Sequence, residues 1–98
     1  MAISTKTENN ASVIAIKGRF DFTSHNEFRE CYRTLQPGTK VKLDLSGCDY
    51  LDSSALGMLL LLREHVGTES DSIEIAGATI EVRSILDIAN FDSLFKIS

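Results

Sequence analysis

Val41-Lys42-Leu43-Asp44-Leu45-Ser46-Gly47-Cys48-Asp49-Tyr50-Leu51-Asp52-Ser53-Ser54-Ala55-Leu56-Gly57-Met58-Leu59-Leu60-Leu61-Leu62, followed by Arg63-Glu64-His65-Val66-Gly67, decides the fold. Val41, Leu43 and Leu45 alternate with Lys42 and Asp44, the period-two pattern of a strand with one buried face. A short loop over 46–51 then leads to Asp52-Ser53-Ser54, capping residues set directly before an apolar run. A helix apolar nearly all round is expected to be heavily buried. Strand, loop and helix in that order form the first half of a parallel crossover.

Working upstream, residues 2–8 form a weak, polar strand candidate closed by the turn-prone pair Asn9-Asn10. Ser12 to Lys17 is a stronger strand ending at Gly18, so the chain opens with a hairpin. Ser24-His25-Asn26-Glu27 has the S-x-x-E form of a capping box, with Ser24 as cap, and Phe28, Cys31, Tyr32 and Leu35 follow at helical spacing until Pro37-Gly38 stops them. Downstream, Ser72 to Gly77 alternates like a strand, Thr79 caps a third helix marked by Val82, Ile85, Leu86 and Ala89, and residues 94–97 supply a short last strand. The order ββαβαβαβ implies an α/β fold with a mixed sheet and parallel crossovers. Because Lys42, Asp44 and Glu74 interrupt apolar neighbours, one sheet face is expected to be wet, with the helices packed mainly on the other.

Composition sets outer bounds. Ninety-eight residues, 43% hydrophobic and 24% charged, suit one globular domain spanning 1–98 and no second lobe. A net charge of −4 has the wrong sign for a domain that lives on nucleic acid or anionic lipid. The longest apolar stretch, 55–62, falls well short of the roughly 20 residues that span a bilayer, so no membrane insertion is expected. No secretory signal is visible at the start, and the two cysteines, Cys31 and Cys48, are too few for a disulfide framework and not paired as zinc ligands are. A cytoplasmic, monomeric protein without metal or cofactor fits these features.

The carboxyl ends of parallel strands are where open α/β sheets meet ligands and partners, and Ser54 is expected there, in the first turn of its helix. Unpaired N–H groups and the helix dipole favour an anion at that point. Read from the residues alone, Asp52, Ser53 and Ser54 are better explained as capping residues only. The string Asp52-Ser53-Ser54-Ala55-Leu56, preceded by Lys42 to Leu51, resembles the signature of the STAS family, typified by bacterial anti-sigma factor antagonists. Gly18-Arg19-Phe20-Asp21 is similar to the family's G-x-[LF]-D segment, and 82–95 to its last helix and closing strand. Ala55 stands where the family commonly has glycine.

The resemblance implies a regulator rather than an enzyme. In the family the second serine of the triplet is phosphorylated by a partner kinase and dephosphorylated by a PP2C-type phosphatase; that position is Ser54. The expected partner is an anti-sigma factor and serine kinase of GHKL type, or an equivalent regulator, held while Ser54 is unmodified and released once it carries phosphate. Asp21, Asp49, Tyr50, Asp52, Ser53 and Ala55 are expected to line the partner-binding surface, Asp49 and Tyr50 on the ground of loop exposure. Asp21 and Asp52 orient the Ser54 hydroxyl or complete the kinase's site, or they shape a loop and cap a helix. Two alternatives stay open, an unphosphorylated STAS subunit of a lipid-transport ABC ATPase complex and a small phosphocarrier. Carriers use a labile phosphohistidine, whereas a phosphoserine suits a stored signal.

Other chemistry finds little support in the sequence. His65 lies eleven residues from Ser54 along one helix, ~16 Å at 1.5 Å per residue, too far to act as its base. No G-x-S-x-G elbow, P-loop or G-x-G-x-x-G segment is present.

Overall fold

The computed structural model describes residues 2–69 and 72–98. The strands are β1 (Ala2–Glu8), β2 (Ala11–Phe20), β3 (Lys40–Leu51), β4 (Ile73–Ala76) and β5 (Lys96–Ile97), and the helices α1 (His25–Tyr32), α2 (Ser53–Val66) and α3 (Ile80–Ile88). They form one five-stranded sheet in the order β1-β2-β3-β4-β5, antiparallel between β1 and β2 and parallel thereafter. The expected mixed α/β sheet with order ββαβαβαβ is therefore the observed one. The three crossovers each step the same way along the sheet, which for crossovers of one hand puts their helices on one face, and residues of all three helices share a single core.

The opening hairpin turns as its sequence dictates. Asn9 and Asn10 both adopt left-handed backbone, φ 52° and 66°, which asparagine tolerates and a two-residue hairpin needs. On the covered face, Ile14, Ile16, Val41, Leu43, Leu45, Ile73 and Ile75 pack with Phe28, Leu59, Leu62, Val82 and Leu86 into a single core. The opposite face carries Lys6, Lys42, Asp44, Glu74 and Lys96, with Lys42 beside Glu74 and Glu74 beside Lys96. It is not uniformly wet. Val13 is buried there, paired with Lys6 and Lys42 on either side, whose methylene stems can cover it while their charges stay in water.

Three local expectations change. Strand β3 does not stop at Leu45 but runs to Leu51, so 46–51 is strand rather than loop. Its register against β2 slips twice, Ala15 to Lys17 facing Asp44 to Gly47 and Gly18 to Arg19 facing Cys48 to Tyr50. Each slip inserts one extra residue into β3, a bulge that breaks the period-two pattern. The cap before α1 also differs: Ser24 makes no side-chain cap to α1, and the capping box belongs to Asp21 and Ser24 around a 3₁₀ turn, Phe22–Ser24. Finally, α1 ends at Tyr32, five residues before Pro37.

Helix α2 is not buried all round. Ala55, Met58, Leu59, Leu62 and Val66 face the core, whereas Leu60 and Leu61 are 37% and 47% exposed. At 100° per residue Ser53, Gly57, Leu60 and Glu64 share a face opposite the buried one, and Ser54 and Leu61 lie along its edge. The core needs only one side of this helix, and the apolar composition of the other side has no internal cause.

Candidate functional site

The ends of β2 and β3 leave the sheet side by side. Arg19 pairs with Tyr50 and Phe20 with Leu51, and one more bond, from the Asp52 amide to the Phe20 carbonyl at 3.3 Å, carries the ladder past the strand ends. Two turns therefore meet at one edge, the 3₁₀ turn after β2 and the start of α2 after β3.

Asp52 is the N-cap of α2. Its backbone is extended, and its carboxylate accepts from the Ala55 amide at 2.9 Å. Ser53 and Ser54 follow as the first two helical residues, both exposed. Their amides sit where a helix offers donors without internal acceptors. Among the described residues the Ser54 hydroxyl makes no hydrogen bond. The side chain is thus exposed, uncommitted and beside the positive end of the helix dipole.

Asp21 organises the facing turn. Its carboxylate accepts from the Thr23 amide at 3.0 Å and from the Thr23 hydroxyl, and pairs with Arg19 at 3.6 Å. The Thr23 hydroxyl foremost, with its amide and the Arg19 charge adding to it, holds the Asp21 carboxyl below its ordinary value although desolvation opposes them. The Ser24 amide donates to the Asp21 carbonyl at 2.9 Å, and Ser24 itself is buried. This pinned turn presents Phe22 outward, 69% exposed. Beside it the Arg19 guanidinium lies 4.2 Å from the centre of the Tyr50 ring, a cation over an aromatic face.

Of the residues expected at the site, Asp21, Asp52, Ser53 and Ser54 gather at this edge, with Asp49 and Tyr50 on the end of β3 rather than on a loop. Asp21 and Asp52 both spend their carboxylates on their own turns, and neither bonds the Ser54 hydroxyl. Ala55 departs from expectation, because it is fully buried. As the third helical residue it turns toward the sheet, so it offers a partner no surface. Phe22, Arg19, Leu60 and Leu61 were not anticipated as site residues. Asp21 and Ser24, three apart, signal the turn that exposes Phe22, and the polar residues Ser53, Ser54 and Glu64 mark the outward face of α2.

Elsewhere the chemistry is sparse. His65 bonds the Leu35 carbonyl through Nε2 at 2.8 Å, so that nitrogen is the donor. Burial raises both thiols, with the Cys31 thiol donating to the Glu27 carbonyl and the Cys48 thiol to that of Tyr50. Among the described residues no group of three or more His, Cys, Asp or Glu could hold a metal ion. No helix there is long and apolar enough to cross a membrane. A groove of about 460 Å³ opens at the other end of the sheet, lined by Pro37, Gly38, Lys40, Gly67 and Ser72 among others. None of the expected site residues borders it.

A family model described as Mlab, STAS domain, matches residues 3–96. The chain is 54% identical over 86 residues to a STAS-domain containing protein of Pseudomonas aeruginosa, across 87% of this chain and 85% of that one. An anti-sigma factor antagonist from Mycobacterium paratuberculosis superposes with a TM-score of 0.84 at 18% identity, covering 98% of this chain and 83% of the other. The Bacillus cell fate determinant SpoIIAA in its phosphorylated form superposes with a TM-score of 0.73 at 14% identity, covering 99% and 91%. These two likenesses show a shared fold.

Proposed function

The chain belongs to the STAS domain family, and from that membership we propose that it is a partner-switching regulator whose binding state is set by phosphorylation of Ser54. The observation that carries this reading is the exposed, unbonded Ser54 hydroxyl in the first turn of α2. It shares its edge with Phe22, Tyr50 and the outward side of α2. Unmodified, the protein holds a partner such as an anti-sigma factor and serine kinase of GHKL type, or an equivalent regulator. A phosphate on Ser54 adds about −1.5 to −2 charges at neutral pH and releases that partner; a PP2C-type phosphatase restores binding. The existence of a phosphorylated form of a fold relative supports the assignment.

The test compares partner affinity of the wild type, Ser54→Ala and the stoichiometrically phosphorylated protein. Wild type and Ser54→Ala bind alike, and phosphorylation weakens binding roughly 10²–10³-fold, a few kcal/mol at 1.4 per decade. Equal affinities for all three overturn the proposal. Intact-mass measurement after incubation with the kinase and ATP reads the modification itself, and no phosphate on Ser54 favours the transport-complex subunit instead.

A further inference from the structure

All five lysines of the chain stand on the exposed face of the sheet. Lys42 lies between Val41 and Leu43, whose side chains enter the core, and so points to the other side. The strand register then sets Lys6, Val13, Lys42, Glu74 and Lys96 in one row across all five strands. Lys17 stands in a further row with Ala2 and Gly47, and Lys40 beside Ala11. Local preference does not explain this placement. Lysine favours helices and is mildly disfavoured in strands, yet the three helices contain none. The five lysines share their face with three carboxylates, those of Glu8, Asp44 and Glu74, whereas the rest of the sequence holds five arginines and eleven carboxylates. A chain of net charge −4 therefore carries one basic face.

The carboxylates on this face are already engaged. Glu8 pairs with Lys6 at 3.1 Å, Asp44 accepts from the Ser46 amide at 3.0 Å, and Glu74 accepts from the Ser98 hydroxyl at 2.7 Å. Lys17, Lys42 and Lys96, by contrast, make no ion pair among the described residues. Lys6, Lys42 and Lys96 are two strands apart in turn, about 9–10 Å. The next row holds Ser4, Ala15, Asp44 and Ala76, so small side chains keep the floor beside them low. Nucleic acid or an anionic bilayer presents one sign of charge and would be set against Asp44 and Glu74 as well as against the lysines. A protein surface can place carboxylates over the lysines and a cation over Glu74. We infer that the exposed sheet face is a second interface, taking an acidic surface of a protein partner whose carboxylates meet Lys17, Lys42 and Lys96. This face lies across the sheet from α2, so it is separate from the Ser54 switch and can be occupied in either state of that serine.

The probe is a phage-displayed peptide library selected on the full chain, with phosphatidylserine vesicles and duplex DNA titrated in parallel. Enriched peptides are expected to be acidic with a Lys or Arg among the carboxylates. They shift the amide resonances of Lys6, Lys42, Glu74 and Lys96, leave those of 53–64 in place, and bind more weakly as salt rises. Lys42→Gln with Lys96→Gln weakens them at least tenfold. Arg29→Glu, which changes the net charge by the same amount on exposed α1, leaves them bound, and unchanged melting temperatures show that both variants are folded. The inference is overturned if no acidic sequence is enriched, if the shifts fall on 53–64, if Arg29→Glu weakens binding as much, or if vesicles or DNA bind more tightly than the peptides. Peptide binding that disappears when Ser54 is phosphorylated overturns the separate interface and leaves the switch standing.

Discussion

Changing Gly57 and Gly77 to alanine is expected to move stability in opposite directions, although the chemical change is the same single methyl. At Gly57 the new methyl meets open space, and the backbone is already helical. Alanine there gains the full helix preference over glycine, about 1 kcal/mol. Gly77 follows β4 with φ +76°, and its Cβ would lie 3.0 Å from Ser46 Cβ and 3.2 Å from the Ser46 amide nitrogen. The left-handed backbone alone costs an alanine roughly 1–2 kcal/mol. The contact adds to that, because it is with the backbone of β3 rather than with the end of a flexible side chain. The two variants therefore differ by at least 2 kcal/mol or so, and at ~4–8 °C per kcal/mol for a domain of this size they melt about 8 °C or more apart. Thermal unfolding by far-UV circular dichroism measures this, with urea titration at fixed temperature as a check that both unfold in two states. A neutral or destabilising Gly57→Ala would refute the reasoning, since it would mean that the open space beside Gly57 is needed within the molecule.

Two further outcomes bear on the turns that frame Ser54. Asp52→Ala removes the cap on Ala55 and is expected to cost ~0.5–2 kcal/mol in urea titration, while the exposed Ser53→Ala stays within about 0.5 kcal/mol; equal effects would deny Asp52 its capping role. The Asp21 carboxyl is held below its ordinary value, so its contribution to the Phe22–Ser24 turn is present above about pH 4 and is lost as the pH falls through the lowered value. Titrating the Thr23 amide by NMR reads this directly. A midpoint at or above the ordinary carboxylate value sinks the assignment, and Asp21→Asn should abolish the step.

The fold was legible wherever its cause is local. The Val41, Leu43, Leu45 alternation, the Asn9-Asn10 turn and the Thr79 cap, which accepts from the Val82 amide at 3.2 Å, each follow from a few neighbouring residues. What could not be read depends on partners distant in sequence. Leu45, Cys48 and Leu51 are buried at spacings of three, which looks like loop until the second strand is laid beside it and the two bulges appear. Ser24 looked like the cap of α1 because the S-x-x-E string is intact, yet Asp21 offers a carboxylate one turn earlier and the 3₁₀ turn forms there. Ala55 was placed on the surface by its position in a motif, whereas the helical angle puts it underneath. Leu60 and Leu61 illustrate the limit of composition: an apolar run states how much a helix can bury, and only the placement of Ser53, Ser54 and Glu64 states which side it leaves out.

Under the proposed switch, magnitudes decide whether phosphate acts on the fold or on the partner. Within the domain, the helix N-terminus attracts an anion by about 0.3–1 kcal/mol, and Asp52, taken at ~6 Å with an effective dielectric near 20, repels it by about 2.8 kcal/mol per unit charge before salt and water screen it. For a charge near −2 the repulsion reaches about 5.6 kcal/mol unscreened, and salt and water at this exposed edge bring the net penalty below the 5–15 kcal/mol that holds a typical domain together. Against a docked partner the balance differs. Exposed charge pairs contribute only about 0.2–1 kcal/mol each, so a cation on the partner would gain little from a phosphate on Ser54. Stripping water from that phosphate, so that a partner can seat over the first turn of α2, costs several kcal/mol for a buried ion. Desolvation at contact exceeds that attraction, and the phosphate expels the partner. The modification therefore needs no rearrangement of α2, and the serine can sit on a rigid, well-capped helix while the partner alone changes state.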